Sequence, residues 1–488
     1  MNATTASPSS AHENRATSIV VLAAAVLLGA ICGSLTLQSW ILGFVGLLGV
    51  GACLAGIRWP LASWIAMFLF YYVAANYLPP MVSSPLTWIC VLVFVAGCWL
   101  ERLDAPTRVS VGNRGLWTCL LGWLAWALIS STRAMDPGSS IREISRYTLS
   151  FLVLFTYLGW LRSEARMRQL VRWWMGLTLA VALAFLIEGA LRGLMGAGPS
   201  FFLGPYPPGP GELSVLFEAA IPILVSFLLA APGRLAWRLA LSIGIMSVAL
   251  WWTQSQSACL ATLLGVGFVV YGRSSGRMRR GILITACLGL MVSLALLWLV
   301  PSVGARLVYE LSGRDRVWAA AWQAIREHPI LGVGPGCWSA WFSQHFISVD
   351  FLMHDLKGNT FYLSPPHLGG EAHNVFLTKA AEMGFSSAIG LMLFLVLWFR
   401  AASQAIRPLG PGWLRALSTG CIATMGGLVF HSLFENGPII GEARGAEVLV
   451  VWLLAVLPLL AGRLAVADSG SAAGAQDGPS GSARLKMT

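Results

Sequence analysis

The sequence predicts an all-α polytopic membrane protein with about 12–14 transmembrane helices and one long loop between two of them. Of the 488 residues, 57% are apolar or aromatic and 11% are charged, whereas roughly 25% are charged in a typical soluble domain. Apolar segments near the ~20-residue length that crosses a bilayer recur from Thr17 to Leu464. This composition excludes a soluble enzyme.

Candidate spans follow one another along the chain, and each is a nearly continuous apolar run. They cover 17–36, 39–57, 61–78, 84–100, 115–131, 146–161, 172–190, 212–230, 235–252, 256–272, 281–300, 373–398, 414–431 and 447–463. The chain therefore divides into an N-terminal tail, two sets of spans, a loop between them and a C-terminal tail. These regions are 1–16, 17–300, 301–372, 373–464 and 465–488.

The basic residues predict the orientation of these spans. The net charge is +11, from 32 Lys and Arg against 21 Asp and Glu. An even number of spans puts both termini on one side, and a cytoplasmic N-terminus places 21 of the 32 basic residues in the cytoplasm. This asymmetry fits the positive-inside rule better than a nucleic-acid-binding surface. The loop 301–372 is then periplasmic.

The two tails lack the patterns of folded or cleaved segments. Residues 1–16 are polar and show no basic start, short apolar core and small-residue cleavage site, so the first span is expected to be retained. Residues 465–488 are rich in Ser, Gly and Ala without periodicity, which predicts a disordered cytoplasmic tail.

The loop holds most of the histidines but no recognisable metal signature. Four of the seven histidines, His328, His345, His354 and His367, lie in it. Their spacings match no zinc motif, and most of the nine cysteines lie inside apolar spans, where Cys acts as a small hydrophobic residue. We expect neither a metal site nor disulfides, and the segment between its helices is expected to be irregular.

Two segments of the loop suggest contact with the membrane or with phosphate. The run from Arg314 places Trp318, Trp322 and Ile325 on one helical face, which is typical of a helix at the headgroup layer. Arg314 and Arg316 are candidates to clamp phosphate, although surface Arg side chains also bind lipid headgroups. The glycines at 332–336 indicate a tight turn, since no strand precedes them as a phosphate-binding loop requires.

The segment from His373 begins the next apolar run. His373 lies near the start of a helix, whose positive end favours a neutral imidazole suited to act as a base; a capping or packing role is the alternative. Glu382 is an ionisable residue inside a span, which indicates function by default. Lys379, three residues earlier, offers a simple ion-pair partner.

Together these motifs resemble the C-terminal signature of the O-antigen ligase and polymerase family. The resemblance rests on Ser312-Gly313-Arg314 with Trp318, the segment from His328-Pro329 to Gly336, and His373-Asn374 with Leu377, Glu382 and Gly384. Gly204-Pro205 with Glu212 resembles a segment before a central span, and the segment from His431 to Glu435 resembles a late His-x-x-x-acid element.

One position departs from the family pattern. Members commonly show Ser-Arg-Gly after the span that ends here near Trp252, whereas this chain reads Ser255-Gln256-Ser257-Ala258. Another cation must therefore neutralise phosphate if the mechanism is kept. The outer-side candidates are Arg142, Arg146 and Arg192, and interfacial anchoring is the alternative role for all three.

The resemblance implies a GT-C-like glycosyltransferase of the bacterial inner membrane with its active site facing the periplasm. The donor would be a glycan on polyprenyl (undecaprenyl) pyrophosphate, and transfer would be inverting, metal-independent and without a cofactor. His373 would be the catalytic base. The substrate would be bound by Arg142, Arg146, Arg192, Arg314, Arg316, Asn374, Glu382, Glu212 and His431.

The sequence leaves open two activities that differ in the acceptor of the glycan. A ligase transfers the glycan to lipid A–core, and a polymerase transfers it to another lipid-linked repeat unit. Either partner lies among membrane lipids, and no nucleic acid is expected. The non-enzymatic alternative is a polysaccharide flippase or another transporter. The 72-residue loop from Pro301 to Ala372 argues against it, because transporters usually bind substrate at the bilayer midplane.

Overall fold

A computed structural model gives the structure of the chain and confirms the all-α fold. It describes 59–72, 80–103, 114–194, 210–231, 233–281, 314–346, 351–354, 360–363, 372–435 and 446–476, with a few single positions between them. The predicted spans 17–36 and 39–57, and all but a few residues of 281–300, lie outside these ranges. The chain forms two compact units, Met1–Thr107 and Arg108–Thr488.

The first unit contributes two helices that pack against each other, α1 and α2. They are Pro60–Tyr72 and Pro80–Leu103. In the second unit, α3 to α8 precede the long loop. They are Arg114–Ser131, Pro137–Trp160, Glu164–Leu194, Pro210–Leu228, Gly233–Trp252 and Gln256–Arg273. Helices α9 and α10, Arg314–Glu327 and Trp338–Phe346, lie within the loop, and α11 to α14 follow it. These last four are Val375–Met383, Phe385–Ile406, Trp413–His431 and Ala446–Gln476.

Within the described ranges, 5 helices are long and apolar enough to cross a membrane. Their bounds for this purpose are Glu164–Leu191, Gly233–Trp252, Phe385–Ile406, Trp413–His431 and Glu447–Ala465. Three shorter apolar helices match further predicted spans, namely Pro60–Leu69, Thr87–Glu101 and Leu213–Leu228. The chain is therefore a multi-pass membrane protein, while the number of 12–14 spans stays a prediction.

Helix α4 begins at Pro137, nine residues before the predicted span. Asp136 is its N-cap, whose carboxylate accepts a 3.0 Å hydrogen bond from the Gly138 amide. Proline at the first helical position already has the required φ and no amide to satisfy. Arg142 and Arg146 therefore lie in the early turns of an established helix rather than at its start.

Small residues bring α6, α8 and α13 close together. A Cβ on Gly420 would lie 2.6 Å from Ile223 Cα, and one on Gly427 would lie 2.6 Å from Ala261 O. Such close approach of backbones is the usual means of packing helices in lipid, where no hydrophobic drive exists between them. Ser226 adds a 2.7 Å hydrogen bond from its hydroxyl to Ala416 O across the same interface.

The predicted span 373–398 is broken into two helices at Gly384. This residue has φ +79°, and a Cβ there would lie 1.8 Å from Ile330 O. The loop turn packs against the break, where the Phe385 amide donates to Pro329 O at 3.0 Å. The prediction of one continuous span was wrong because hydropathy does not reveal a left-handed glycine that separates two apolar helices.

Part of the loop between α10 and α11 forms a pair of strands, where an irregular segment was expected. Strands β1 and β2, Phe351–His354 and Thr360–Leu363, pair in antiparallel fashion. The buried face of α9 consists of Val317, Ala320, Ala321, Ala324 and Ile325, not of tryptophans. Trp322 is exposed and Trp318 donates its indole N–H to Ala372 O at 3.0 Å. Small residues on that face let α9 pack against α11.

Helix α14 runs on past residue 463, where the last span was expected to end. It continues to Gln476, so helix replaces the first part of the predicted disordered tail. Ala472, Ala473 and Ala475 favour this extension, since alanine has the highest helix propensity. Residues 477–488 of the predicted tail lie outside the described ranges.

Candidate functional site

His373 occupies a backbone conformation that side chains rarely adopt. Its φ is +47°, and it directly precedes Asn374, the N-cap of α11. The Asn374 side chain accepts a 3.0 Å hydrogen bond from the Leu377 amide. A left-handed non-glycine residue persists only when its surroundings fix it, and such residues cluster at functional sites. This geometry marks His373 as a candidate functional residue.

Three charged or titratable side chains from distant parts of the chain meet here, and we call them the outer triad. His373 Nδ1 lies 2.8 Å from Glu435 Oε2, and Arg314 pairs with the other oxygen, Oε1. Arg314 comes from the first residue of α9, and Glu435 lies just after α13. All three are partly exposed, with 34% of the His373 side chain accessible. A substrate can therefore reach the imidazole.

Electrostatics keep Glu435 ionised. Burial alone raises the pKa of this carboxyl, but the hydrogen bond from His373 and the charges of His373, Arg314 and His431 together lower it below its usual value. A carboxylate only accepts hydrogen bonds, so Nδ1 of His373 carries the proton in the bond between them. In the neutral imidazole, Nε2 then has the free lone pair, which is the arrangement of a general base.

The turn that carries Glu435 also holds the beginning of α11. The Val375 amide donates to Ser432 O at 3.0 Å, and the Asn374 side chain donates to Leu433 O at 2.9 Å. Together with the His373–Glu435 bond, these contacts attach three consecutive residues of one segment to one turn. The position of His373 is therefore fixed by backbone and side-chain contacts at once.

A second cluster of charged side chains, which includes Glu382, is more buried than the outer triad. The buried Lys379 ammonium donates to Tyr147 Oη and to Glu382 Oε2, each at 2.9 Å, and lies 3.5 Å from Glu143 Oε1. Arg146 donates to the other Glu143 oxygen at 3.0 Å. Because the charges balance, this cluster joins α4 to α11 without an isolated buried charge, which would be very costly. Glu382 is thus paired with Lys379, as its spacing suggested.

The third cluster is a buried pair. His431 Nδ1 lies 2.6 Å from Glu218 Oε2, and the two side chains are 2% and 1% exposed. Glu218 belongs to α6 and His431 ends α13. An imidazole so deeply buried cannot contact an acceptor hydroxyl, in contrast to His373.

The glycine turn packs against α11 and does not present a phosphate cradle. The amides of Val333 and Gly334 donate to Ala381 O and Glu382 O at 3.0 and 2.8 Å. Gly332, Gly334 and Gly336 all have positive φ, and a Cβ on Gly332 would lie 2.2 Å from the Glu382 carbonyl carbon. The turn interpretation is therefore confirmed, since two of its amides are already used.

The predicted substrate-binding residues are not all brought together. Arg314, Asn374 and His373 meet, Arg146 and Glu382 share the second cluster, and Arg142 lies exposed on α4. The side chains of Arg192, Arg316 and Glu212 lie outside the described part of the structure. Among the described residues no group of three His, Cys, Asp or Glu side chains is placed to hold a metal ion. His367 also lies outside the described residues.

The segment that contains most of these features matches a known family. Residues 241–395 match the profile of a family described as O-Antigen ligase. The match covers 155 of the 488 residues, so the chain is similar to the O-antigen ligases over that segment. This similarity supports an O-antigen ligase-type function in general for the matched segment. None of the curated proteins compared with the chain matches it.

The matched segment contains only part of the outer triad. Arg314 and His373 lie inside the matched segment, whereas Glu435 lies beyond it. Glu435 was part of the late His-x-x-x-acid motif but was not predicted as a site residue. Glu218 was also missed, although an ionisable residue inside an apolar span is a recognised signal.

Proposed function

We propose that this protein transfers a glycan from polyprenyl pyrophosphate, with undecaprenyl as the lipid, to an acceptor hydroxyl at the periplasmic face of the bacterial inner membrane. The acceptor is lipid A–core in a ligase or another lipid-linked repeat unit in a polymerase. The single observation that carries this proposal is the outer triad of His373, Glu435 and Arg314, partly exposed beside an O-antigen ligase loop.

In the proposed reaction, Nε2 of His373 accepts the proton of the acceptor hydroxyl. The hydroxyl oxygen then attacks the anomeric carbon of the donor sugar, and the bond from that carbon to the phosphate oxygen breaks. Polyprenyl pyrophosphate leaves with the electron pair, and the anomeric configuration inverts. Glu435 orients the imidazole and stabilises its positive charge, as the carboxylate does in other catalytic triads.

Arginine side chains would neutralise the leaving group. A guanidinium has five N–H donors, so Arg314 can bind phosphate with donors other than the one that contacts Glu435. Arg142, Arg146, Arg192 and Arg316 stay candidates for the same role, since they lie on the proposed outer side of the membrane. In this proposal, positively charged Arg side chains at the leaving group take the place of a metal ion.

The experiment is conversion of a defined donor by the purified full-length protein. Undecaprenyl-pyrophosphate-linked glycan is supplied with lipid A–core, with a second lipid-linked repeat unit, or with neither acceptor. We expect free undecaprenyl pyrophosphate and an equal amount of product with one of the two acceptors. Passage of intact donor across vesicles without release of pyrophosphate would instead support the transporter and contradict the proposal.

A further inference from the structure

A buried charge pair lies four residues from the outer triad and has no role in the proposed reaction. Glu218 and His431 are almost fully inaccessible and 2.6 Å apart. Ionisable residues at such positions are costly and usually functional. The interface of α6 and α13 is otherwise held by apolar and small residues and by hydroxyl-to-carbonyl bonds, so packing alone does not require the pair.

The backbone connects this pair to His373. The Glu435 amide donates to His431 O at 3.0 Å, which begins the turn that carries the carboxylate. The same turn accepts hydrogen bonds from Val375 and Asn374 at the start of α11. A shift of His431 would therefore move Glu435 and the two residues that follow His373.

Charge connects them as well. His431 acts on the Glu435 carboxylate and is one of the positive groups that lower its pKa, after His373 and Arg314. His431 ends α13, where the helix dipole favours a positive imidazole, and the Glu218 carboxylate does the same. The titratable or charged groups of the described chain that interact with this pair are Cys259 on α8, Arg314 on α9, and Glu435 after α13.

We propose that Glu218 and His431 are positioning residues that hold a positive charge beside Glu435 and anchor the turn 431–435. Glu435 then stays ionised, and His373 keeps its proton on Nδ1 and its lone pair on Nε2. The inference rests on the proposed function, because the pair acts only through His373.

The test compares Glu218→Gln with wild type, using the undecaprenyl-linked donor. Gln keeps the shape and a hydrogen-bond acceptor but removes the charge. We expect kcat at neutral pH to fall about tenfold with little change in KM, and the acid limb of the pH–kcat profile to move up by about one unit, the size of shift that a nearby charge produces.

Thr424→Val is the matched control. Its hydroxyl donates to Ala219 O at 3.2 Å across the same two helices without carrying charge. We expect the control to keep the wild-type pH profile. An unchanged acid limb in Glu218→Gln, or a loss of kcat no larger than in the control, would overturn the proposal. If the Gln variant does not fold, the test uses Glu218→Asp, which keeps the charge but shortens the side chain. A kcat equal to that of wild type contradicts the proposal. A reduced kcat with an unmoved acid limb of the pH–kcat profile supports it.

A second measurement needs no turnover. Thermal stability of Glu218→Gln, Glu435→Gln and the double variant at neutral pH forms a cycle in which coupled residues are not additive. Additive losses would refute the coupling even if the protein proves to be a transferase. A coupled cycle in a protein that releases no pyrophosphate would leave the coupling in place and refute the proposed function instead.

Discussion

At the scale of single residues, the contacts of the outer triad account for the strained backbone conformation of His373. His373 needs its φ of +47° to direct Nδ1 at Glu435 while Asn374 caps the next helix. His431, also a predicted site residue, is instead buried against Glu218. This difference in exposure supports the proposal that His373, and not His431, is the base.

The ionisation of Glu435 leads to a pH-dependent prediction. Its pKa is lower in the folded protein than the ordinary value of about 4.3, so its contribution to stability is complete above that value. The contribution is lost as the pH falls through the folded pKa. We expect the difference in melting temperature between wild type and Glu435→Gln to be constant from pH 8 to about pH 5 and to shrink below about pH 4.

Melting curves in detergent across this pH range provide the measurement. A difference that already disappears between pH 7 and pH 5 would mean that Glu435 titrates at higher pH and does not hold the His373 proton. Arg238→Gln, an exposed change of charge on α7, is the control and is expected to show no such dependence.

The sequence identified the motif residues around the site but not their grouping. His373, Asn374 and Arg314 follow from local patterns, since each stands at a helix start or beside one. Glu435 and Glu218 meet their partners through contacts between residues 62 and 213 positions apart. The periodicity of the sequence does not predict contacts between residues so far apart in the chain, so the roles of these two residues follow only from the folded structure.

At the scale of elements, the break at Gly384 fixes the placement of α11. The carbonyl of Ile330 occupies the space that a side chain at this position would need. Ser130 donates to Leu331 O at 2.6 Å, and the Trp126 indole donates to Met383 O at 2.9 Å. Helix α3, the glycine turn and the end of α11 are thereby joined at one point.

Gly384→Ala is expected to destabilise the protein strongly. The residue would need a positive φ, which costs about 1–3 kcal/mol, and its Cβ would overlap a backbone oxygen, so the turn and α11 must separate. We expect a clear fall in melting temperature together with loss of transfer activity. Gly244→Ala on α7, where a Cβ meets nothing within 4 Å, is the matched control.

Thermal unfolding of both purified variants tests this prediction. Equal melting temperatures for Gly384→Ala and Gly244→Ala would show that the backbone contact at 384 is not needed.

The all-α class and most helices followed from hydropathy, because apolar length is a property of the local sequence. The break and the small-residue face of α9 did not, since each depends on what packs against it.

At the scale of the whole molecule, the proposed orientation places the outer triad in the periplasm. The observation behind it is the excess of basic residues on the other side, 21 of 32. Gln344 is exposed on α10 in the long loop, and Arg277 is exposed in the basic segment after α8. These two positions report opposite sides of the membrane if the orientation is correct.

We expect Gln344→Cys, in a background without other reactive thiols, to react with a membrane-impermeant reagent in intact spheroplasts. Arg277→Cys is the matched control and is expected to react only after lysis. The reverse pattern would place the loop in the cytoplasm and would contradict a periplasmic active site.

The rate of glycan transfer by His373→Ala tests the central claim most directly. Loss of a general base costs about 10²–10⁴-fold, and donor binding is expected to stay near normal because the imidazole acts on the acceptor. His328→Ala, which changes an exposed histidine of the preceding loop, is the control and is expected to keep wild-type activity. The account predicts a fall of at least about 100-fold in the His373 variant. Retention of more than about a tenth of wild-type activity, an effect smaller than base removal produces, would contradict it.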